Sequence, residues 1–124
     1  MQFASTRIVT NSVDRLVGFY ETLLETKPNR PSPDFAEFRW GNVAFAISSV
    51  GLIERFNAGA AVPGENRSAI IEFQVDDVDA VHTRLAVGVE VAMAPATMPW
   101  GNRSMLLRDP DGNVVNIFAR PKAS

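Results

Sequence analysis

Twice along the chain a short segment of alternating polar and apolar residues runs through a polar cap into a longer segment with helical periodicity. Alternation with a period of two predicts a strand with two distinct faces, and recurrence every three to four residues predicts an amphipathic helix. The first such unit spans residues 8–23, and its helix carries a broad apolar stripe of Leu16, Phe19, Tyr20, Leu23 and Leu24. The second spans residues 73–85, with a narrower stripe of Val78, Val81 and Leu85. Ser12 and Asp77 sit where N-caps are needed, and Asp14 and Asp79 fall in the first turns, where the helix dipole favours negative charge. Further strands are predicted at about residues 35–40, 43–49, 90–93, 104–108 and 114–119, with a short helix at 52–56.

The two units are copies of one plan. Val13 and Asp14 answer Val78 and Asp79 at a shift of 65, while Gly41-Asn42-Val43 answers Gly112-Asn113-Val114 at a shift of 71. The second copy therefore carries six additional residues, assigned to the loop at 95–102. Each half reads as strand, helix, strand, strand, strand. The first module is placed at residues 1–57, a Gly/Ala/Pro/Asn-rich linker at 58–66 and the second module at 67–124, together one domain.

Composition excludes several classes. A net charge of -2 and a pI near 5.3 give no basic field for nucleic acid or anionic lipid, and disfavour specialisation for a highly cationic drug. The absence of Cys removes disulfides, thiolate nucleophiles and zinc-thiolate sites, and suits the cytoplasm. With no apolar run of 18 residues and no basic, hydrophobic start, a soluble, unprocessed cytoplasmic protein is expected, without membrane contact. The glycosylation triplets at Asn66 and Asn102 then have no consequence.

In Asp109-Pro110-Asp111-Gly112-Asn113, Pro in the second position, Asp in the third and Gly in the fourth suit a type I turn closed by a left-handed Gly. Together with Pro99-Trp100-Gly101-Asn102-Arg103-Ser104, the segment Met105-Leu106-Leu107-Arg108 and the opening helix from Val13-Asp14 to Phe19-Tyr20-Glu21, this turn resembles the glyoxalase, bleomycin-resistance and extradiol-dioxygenase (vicinal oxygen chelate) superfamily. The resemblance implies an α+β fold of two tandem βαβββ modules forming a cupped mixed sheet around a ligand cleft, usually in a homodimer or a paired or swapped arrangement. Metal-dependent members take His, Gln or Glu ligands from the first and fourth strands of each module, positions that map here to Ser5, Phe45, Ile70 and Asn116. None is a good donor for a transition metal, so neither metal nor other cofactor is expected.

Strand parity then sorts the faces. Ile71, Phe73 and Val75 form the set expected to meet a helix, leaving Ser5, Arg7, Val9, Ile70, Glu72 and Gln74 for the cup. On the hairpin strands Val43, Phe45, Ile47, Val114, Asn116 and Phe118 are expected in the cup, joined by Phe35, Glu37 and Arg39, with Ala44, Ala46, Val115 and Ile117 under the helices. The candidate ligand-binding residues are Arg7, Phe35, Glu37, Phe45, Glu72, Gln74, Trp100, Asn116 and Phe118. Arg7 and Glu72 are related by the repeat and expected to share a salt bridge or a ligand contact; the alternative, that each points to solvent at a strand end, stays open. Trp100 reads as a stacking platform or lid, or as simple packing. His82, the sole imidazole, reads as a helix-surface residue, Asp76, Asp77 and Asp79 as capping groups, and Asp109, Asp111 and Asn113 as a turn rather than a calcium loop, since no Glu closes it.

These readings favour a metal-free small-molecule-binding protein of the bleomycin-resistance type, without catalytic residues, sequestering an antibiotic or another aromatic or amphipathic compound. The alternative is a lyase, isomerase or dioxygenase whose metal or base, Glu72 or Glu37, stands at a non-standard position. A third reading is a sensor or accessory domain whose cup has become core.

Overall fold

The computed structural model describes residues 1–85 and 87–122. They form two compact units, Met1–Glu65 and Asn66–Ser124. The first contains β1 (Ser5–Thr10), α1 (Val13–Leu24), β2 (Asn29–Ser32), β3 (Phe35–Trp40), β4 (Val43–Ser49) and α2 (Val50–Phe56). Its four-stranded sheet has the order β1-β4-β3-β2, with β1 parallel to β4 and the other pairs antiparallel. The second unit contains β5 (Ile70–Gln74), α3 (Val78–Arg84), β6 (Glu90–Thr97), β7 (Arg103–Arg108) and β8 (Val114–Ala119). Its order, β5-β8-β7-β6 with β5 parallel to β8, repeats the first. The chain is thus an α+β protein of tandem βαβββ modules, each with its own mixed sheet.

Local chemistry sets the helix starts. The Ser12 hydroxyl accepts from the Arg15 N–H at 3.3 Å, and the Asp77 carboxylate from the Ala80 N–H at 3.0 Å, each satisfying a donor that the helix leaves unpaired. Ser49 does the same for α2, accepting from the Leu52 N–H at 3.1 Å. At its other end α1 stops where Glu25 turns into the left-handed region, φ 51°.

In the first module α1 packs against β3 and β4, burying Leu16, Val17, Tyr20 and Leu23. The Phe45 ring meets Tyr20 edge-on, centroids 4.6 Å apart, and stacks beside Phe38 at 6.2 Å. Phe45 therefore belongs to the helix-side core, and so by alternation does Ile47, contrary to their expected place in the cup. Ala44 and Ala46, expected under the helix, occupy the opposite face. The cause lies in the hairpins. Arg39 pairs with Ala44 across four intervening residues, whereas Arg108 pairs with Val114 across five. The strand registers Arg7 to Ala46 and Glu72 to Asn116 then match the fourth strands at a shift of 70 rather than 71. A slip of one residue transfers every side chain to the other face.

The second module follows its expected parity. Val78 of α3 and the following Leu85 are buried, as are Met105, Leu107, Val115 and Ile117 on the sheet. Two features of the edge strands escaped sequence reading. β2 holds Pro31, which is compatible with a strand that pairs only with β3. β6 runs through Pro95 to Thr97, and its pairing with β7 shifts between Val91 and Met93 and again between Met93 and Ala96. Residues 95–97 of the expected loop therefore belong to an irregular edge strand.

Candidate functional site

The open face of the second module's sheet, opposite α3, carries a chain of polar side chains on an otherwise largely apolar surface. Glu72 on β5 lies in register with Asn116 on β8, which lies in register with Leu106 on β7. Ser104, two residues before Leu106, shares that face and is buried. Its hydroxyl donates to Asn116 Oδ1 at 2.5 Å, and Asn116 Nδ2 donates to Glu72 Oε2 at 2.7 Å. The amide is thereby fixed with its oxygen toward Ser104 and its nitrogen toward the carboxylate. Gln74 pairs in register with Phe118, and Ile70 with Val114, so the polar chain has a ring on one side and aliphatic groups on the other. Phe118 is half-buried, and the Arg120 guanidinium lies 5.8 Å from its ring centre.

On the corresponding face of the first module, Arg7 donates to Asn57 Oδ1 at 2.8 Å, tying β1 to the C-cap of α2. Arg39 donates to Glu37 at 2.8 Å, and Phe35 stands half-buried two residues earlier. Within its own module, then, Arg7 engages Asn57 and Glu72 engages Asn116. Trp100 is 69% exposed in the loop between β6 and β7, closed by Met98 N–H to Asn102 O at 2.7 Å. Its neighbour Gly101 has φ +101°, and a Cβ there would stand 2.9 Å from Pro121 Cγ, so only glycine suits that position.

Of the nine candidate residues, Glu72, Gln74, Asn116 and Phe118 share one face of one sheet, and Arg7, Phe35 and Glu37 share the matching face of the other. Phe45 is removed to the core and Trp100 projects from a loop. Ser104 and Asn57 lie outside the expected set, whereas Arg39, expected in the cup, is found as the partner of Glu37. Parity could have found Ser104, which alternates with Leu106 on the Asn116 face; nothing local announces Asn57.

Two carboxylates elsewhere in the second module are occupied by structural contacts. Asp109 Oδ1 accepts from the N–H groups of Asp111 and Asn113, each at 2.9 Å, and Oδ2 from Asn113 Nδ2 at 2.8 Å, so this carboxylate holds its own turn. Asp79 is gripped by Arg103, whose hydrogen bonds hold its carboxyl below the usual carboxylate range. Among the described residues no three His, Asp or Glu side chains gather closely enough to hold a metal ion, and no helix is long and apolar enough to cross a membrane.

Tandem βαβββ modules, each with a helix on one sheet face and a mixed polar and apolar opposite face, define a recognisable class of α+β proteins. The chain belongs to the Glyoxalase/Bleomycin resistance protein/Dioxygenase superfamily, whose model matches residues 2–117. It is similar to a glyoxalase/bleomycin resistance protein/dioxygenase from Nocardioides, with 25% identity, 100% of this chain and 86% of that chain covered, and a TM-score of 0.79. It is also similar to a protein of unknown function from Agrobacterium tumefaciens, at 26% identity, 96% and 94% coverage and a TM-score of 0.82. A glyoxalase-related enzyme from Fulvimarina pelagi, at 19% identity, 97% and 88% coverage and a TM-score of 0.83, shares the fold. No curated protein matches the sequence.

With the register corrected, the positions that metal-dependent members of the superfamily use fall on Ser5, Ala46, Ile70 and Asn116. A hydroxyl, a methyl, a branched hydrocarbon and a carboxamide are not the imidazole and carboxylate donors that a divalent transition metal requires. The residues do not fit such an ion.

Proposed function

We propose that this chain is a metal-free small-molecule-binding protein of the superfamily, sequestering an antibiotic or another aromatic or amphipathic compound in the cytoplasm as a homodimer. The observation that carries this reading is the open face of the second module. There, a fixed polar chain from Ser104 through Asn116 to Glu72 lies among Phe118, Val114, Ile70 and Leu106. Apolar surface with a few oriented polar anchors is what an organic ligand needs, and stoichiometric capture requires no reactive group. In the same module Trp100, exposed in the loop between β6 and β7, is offered as a stacking surface, and the open face of the first module, with Arg7, Phe35 and Glu37, has a similar mixed character of its own.

A second reading, a lyase or isomerase in which Glu72 removes a proton, draws on the same hydrogen bond, since a carboxylate of fixed orientation is suited to general-base work. Native mass spectrometry and elemental analysis of purified protein test the first reading, and turnover of the bound compound that is lost on Glu72→Gln would select the second. A co-purified organic molecule at one per subunit, without stoichiometric transition metal, supports capture. A bound metal lost on Asn116→Ala would overturn it.

A further inference from the structure

We infer that Glu72 is the charge-reading end of the ligand site and that the compound it accepts carries a protonated amine or a comparable N–H cation; this rests on the small-molecule-binding reading above. The hydrogen-bond chain has a direction. Ser104 donates to Asn116, and Asn116 donates to Glu72, so it ends in a group that can only accept. The Glu72 side chain is exposed, and the bond from Asn116 engages only Oε2, which leaves Oε1 able to accept. A ligand group meeting them must donate, and a cationic donor gains most.

The company that Glu72 keeps sets it apart from other carboxylates of the chain. Glu37, Asp79 and Glu90 are each paired with an arginine, Arg39, Arg103 and Arg108 respectively. Glu72 has an amide partner instead, which orients its charge without cancelling it. No cation pairs with it among the described residues. The flanking surface then specifies the rest of the ligand. Phe118 on one side and Ile70 on the other, the latter 53% exposed, would take an apolar or aromatic body attached to the amine. A monocation with a hydrophobic body is consistent with a chain whose net charge of -2 provides no field for a polycation. Asn116 and Ser104 are positioning residues, acting through Glu72.

The test uses three probes of one shape in amide-resolved NMR titrations of the full chain: benzylamine, cationic at neutral pH, neutral benzyl alcohol and anionic benzoate. Benzylamine is expected to shift amides of β5 and β8 around Glu72 and Asn116 and to bind roughly fivefold more tightly than benzyl alcohol, the scale of a solvent-exposed charge pair, with benzoate weakest. Glu72→Gln removes that preference. Ser104→Ala narrows the preference and Ser104→Thr, which keeps the hydroxyl, restores it, a pattern that mere packing would not produce. If benzyl alcohol or benzoate binds the native protein as well as benzylamine, or Glu72→Gln keeps the preference, the inference is overturned while small-molecule binding stands. If no probe shifts either strand, both are overturned.

Discussion

Arg103 grips Asp79 through two parallel hydrogen bonds, Nε to Oδ2 at 3.0 Å and Nη2 to Oδ1 at 2.8 Å, fastening the first turn of α3 to β7. The repeat has a weaker counterpart. Asp14, 65 residues before Asp79, meets Arg30 of β2 through a single contact at 2.6 Å. A two-point grip fixes direction as well as distance and is stronger than a one-point contact. Double-mutant cycles are therefore expected to give a larger coupling for Asp79 with Arg103 than for Asp14 with Arg30. Arg103→Lys should lose most of it, since an ammonium cannot span both oxygens.

The same grip makes a pH prediction. The hydrogen bonds from Arg103 depress the Asp79 pKa in the folded state, so the unfolded chain binds the proton more readily. The stabilisation is present above the ordinary Asp pKa of about 3.9 and disappears as pH falls through the lower folded value. Urea titrations should show Asp79→Asn less stable than the native protein at pH 7, with the two converging in strong acid. A difference constant across that range would mean that the carboxylate contributes no proton linkage.

Phe45 is a core residue, 4% exposed between Tyr20 and Phe38. Phe45→Ala should cost about 3–5 kcal/mol in chemical denaturation, as buried Phe truncations do. Phe118→Ala, at a half-buried position, should cost less and act chiefly on ligand affinity. The reverse ranking would restore Phe45 to the ligand face.

Phe45 also shows where sequence reading reached its limit. Caps, helices and the repeat were legible because each rests on local chemistry: Ser12 and Asp77 before apolar stripes, and the Asp109 to Asn113 turn before an alternating strand. Parity in the second module was legible too, because Val115 and Ile117 contrast with Asn116. In the first module Ala44, Phe45, Ala46 and Ile47 are all buried, so hydrophobicity could not distinguish the faces. Register rested on matching Gly41-Asn42 to Gly112-Asn113, and hairpins of unequal length defeat that match by one residue. Glu72, Asn116 and Phe118 kept their place on the open face because their own module supplied the contrast.

The turn before β8 depends on one side chain. Asp109 is 5% exposed and accepts from two backbone N–H groups and the Asn113 amide. Asp109→Ala leaves those donors without that acceptor, and a cost of about 1–3 kcal/mol is expected from urea midpoints. Added calcium should leave stability unchanged, because the carboxylate already has its partners within the turn.

Ser48 invites the opposite change. It is fully buried in β4, in register with Val9 and Phe35, and its hydroxyl has no hydrogen-bond partner among the described residues. An unmet buried hydroxyl loses its water interactions without a replacement, whereas a methyl in the same volume has nothing to lose. Ser48→Ala should therefore raise stability by up to about 1 kcal/mol, seen as a higher urea midpoint at unchanged slope. Ser48→Val should not share the gain, since added bulk must be fitted beside Val9 and Phe35 in a closely packed sheet. Destabilisation by Ser48→Ala would show that the hydroxyl is hydrogen-bonded in solution and that this position on β4 is held by a polar contact.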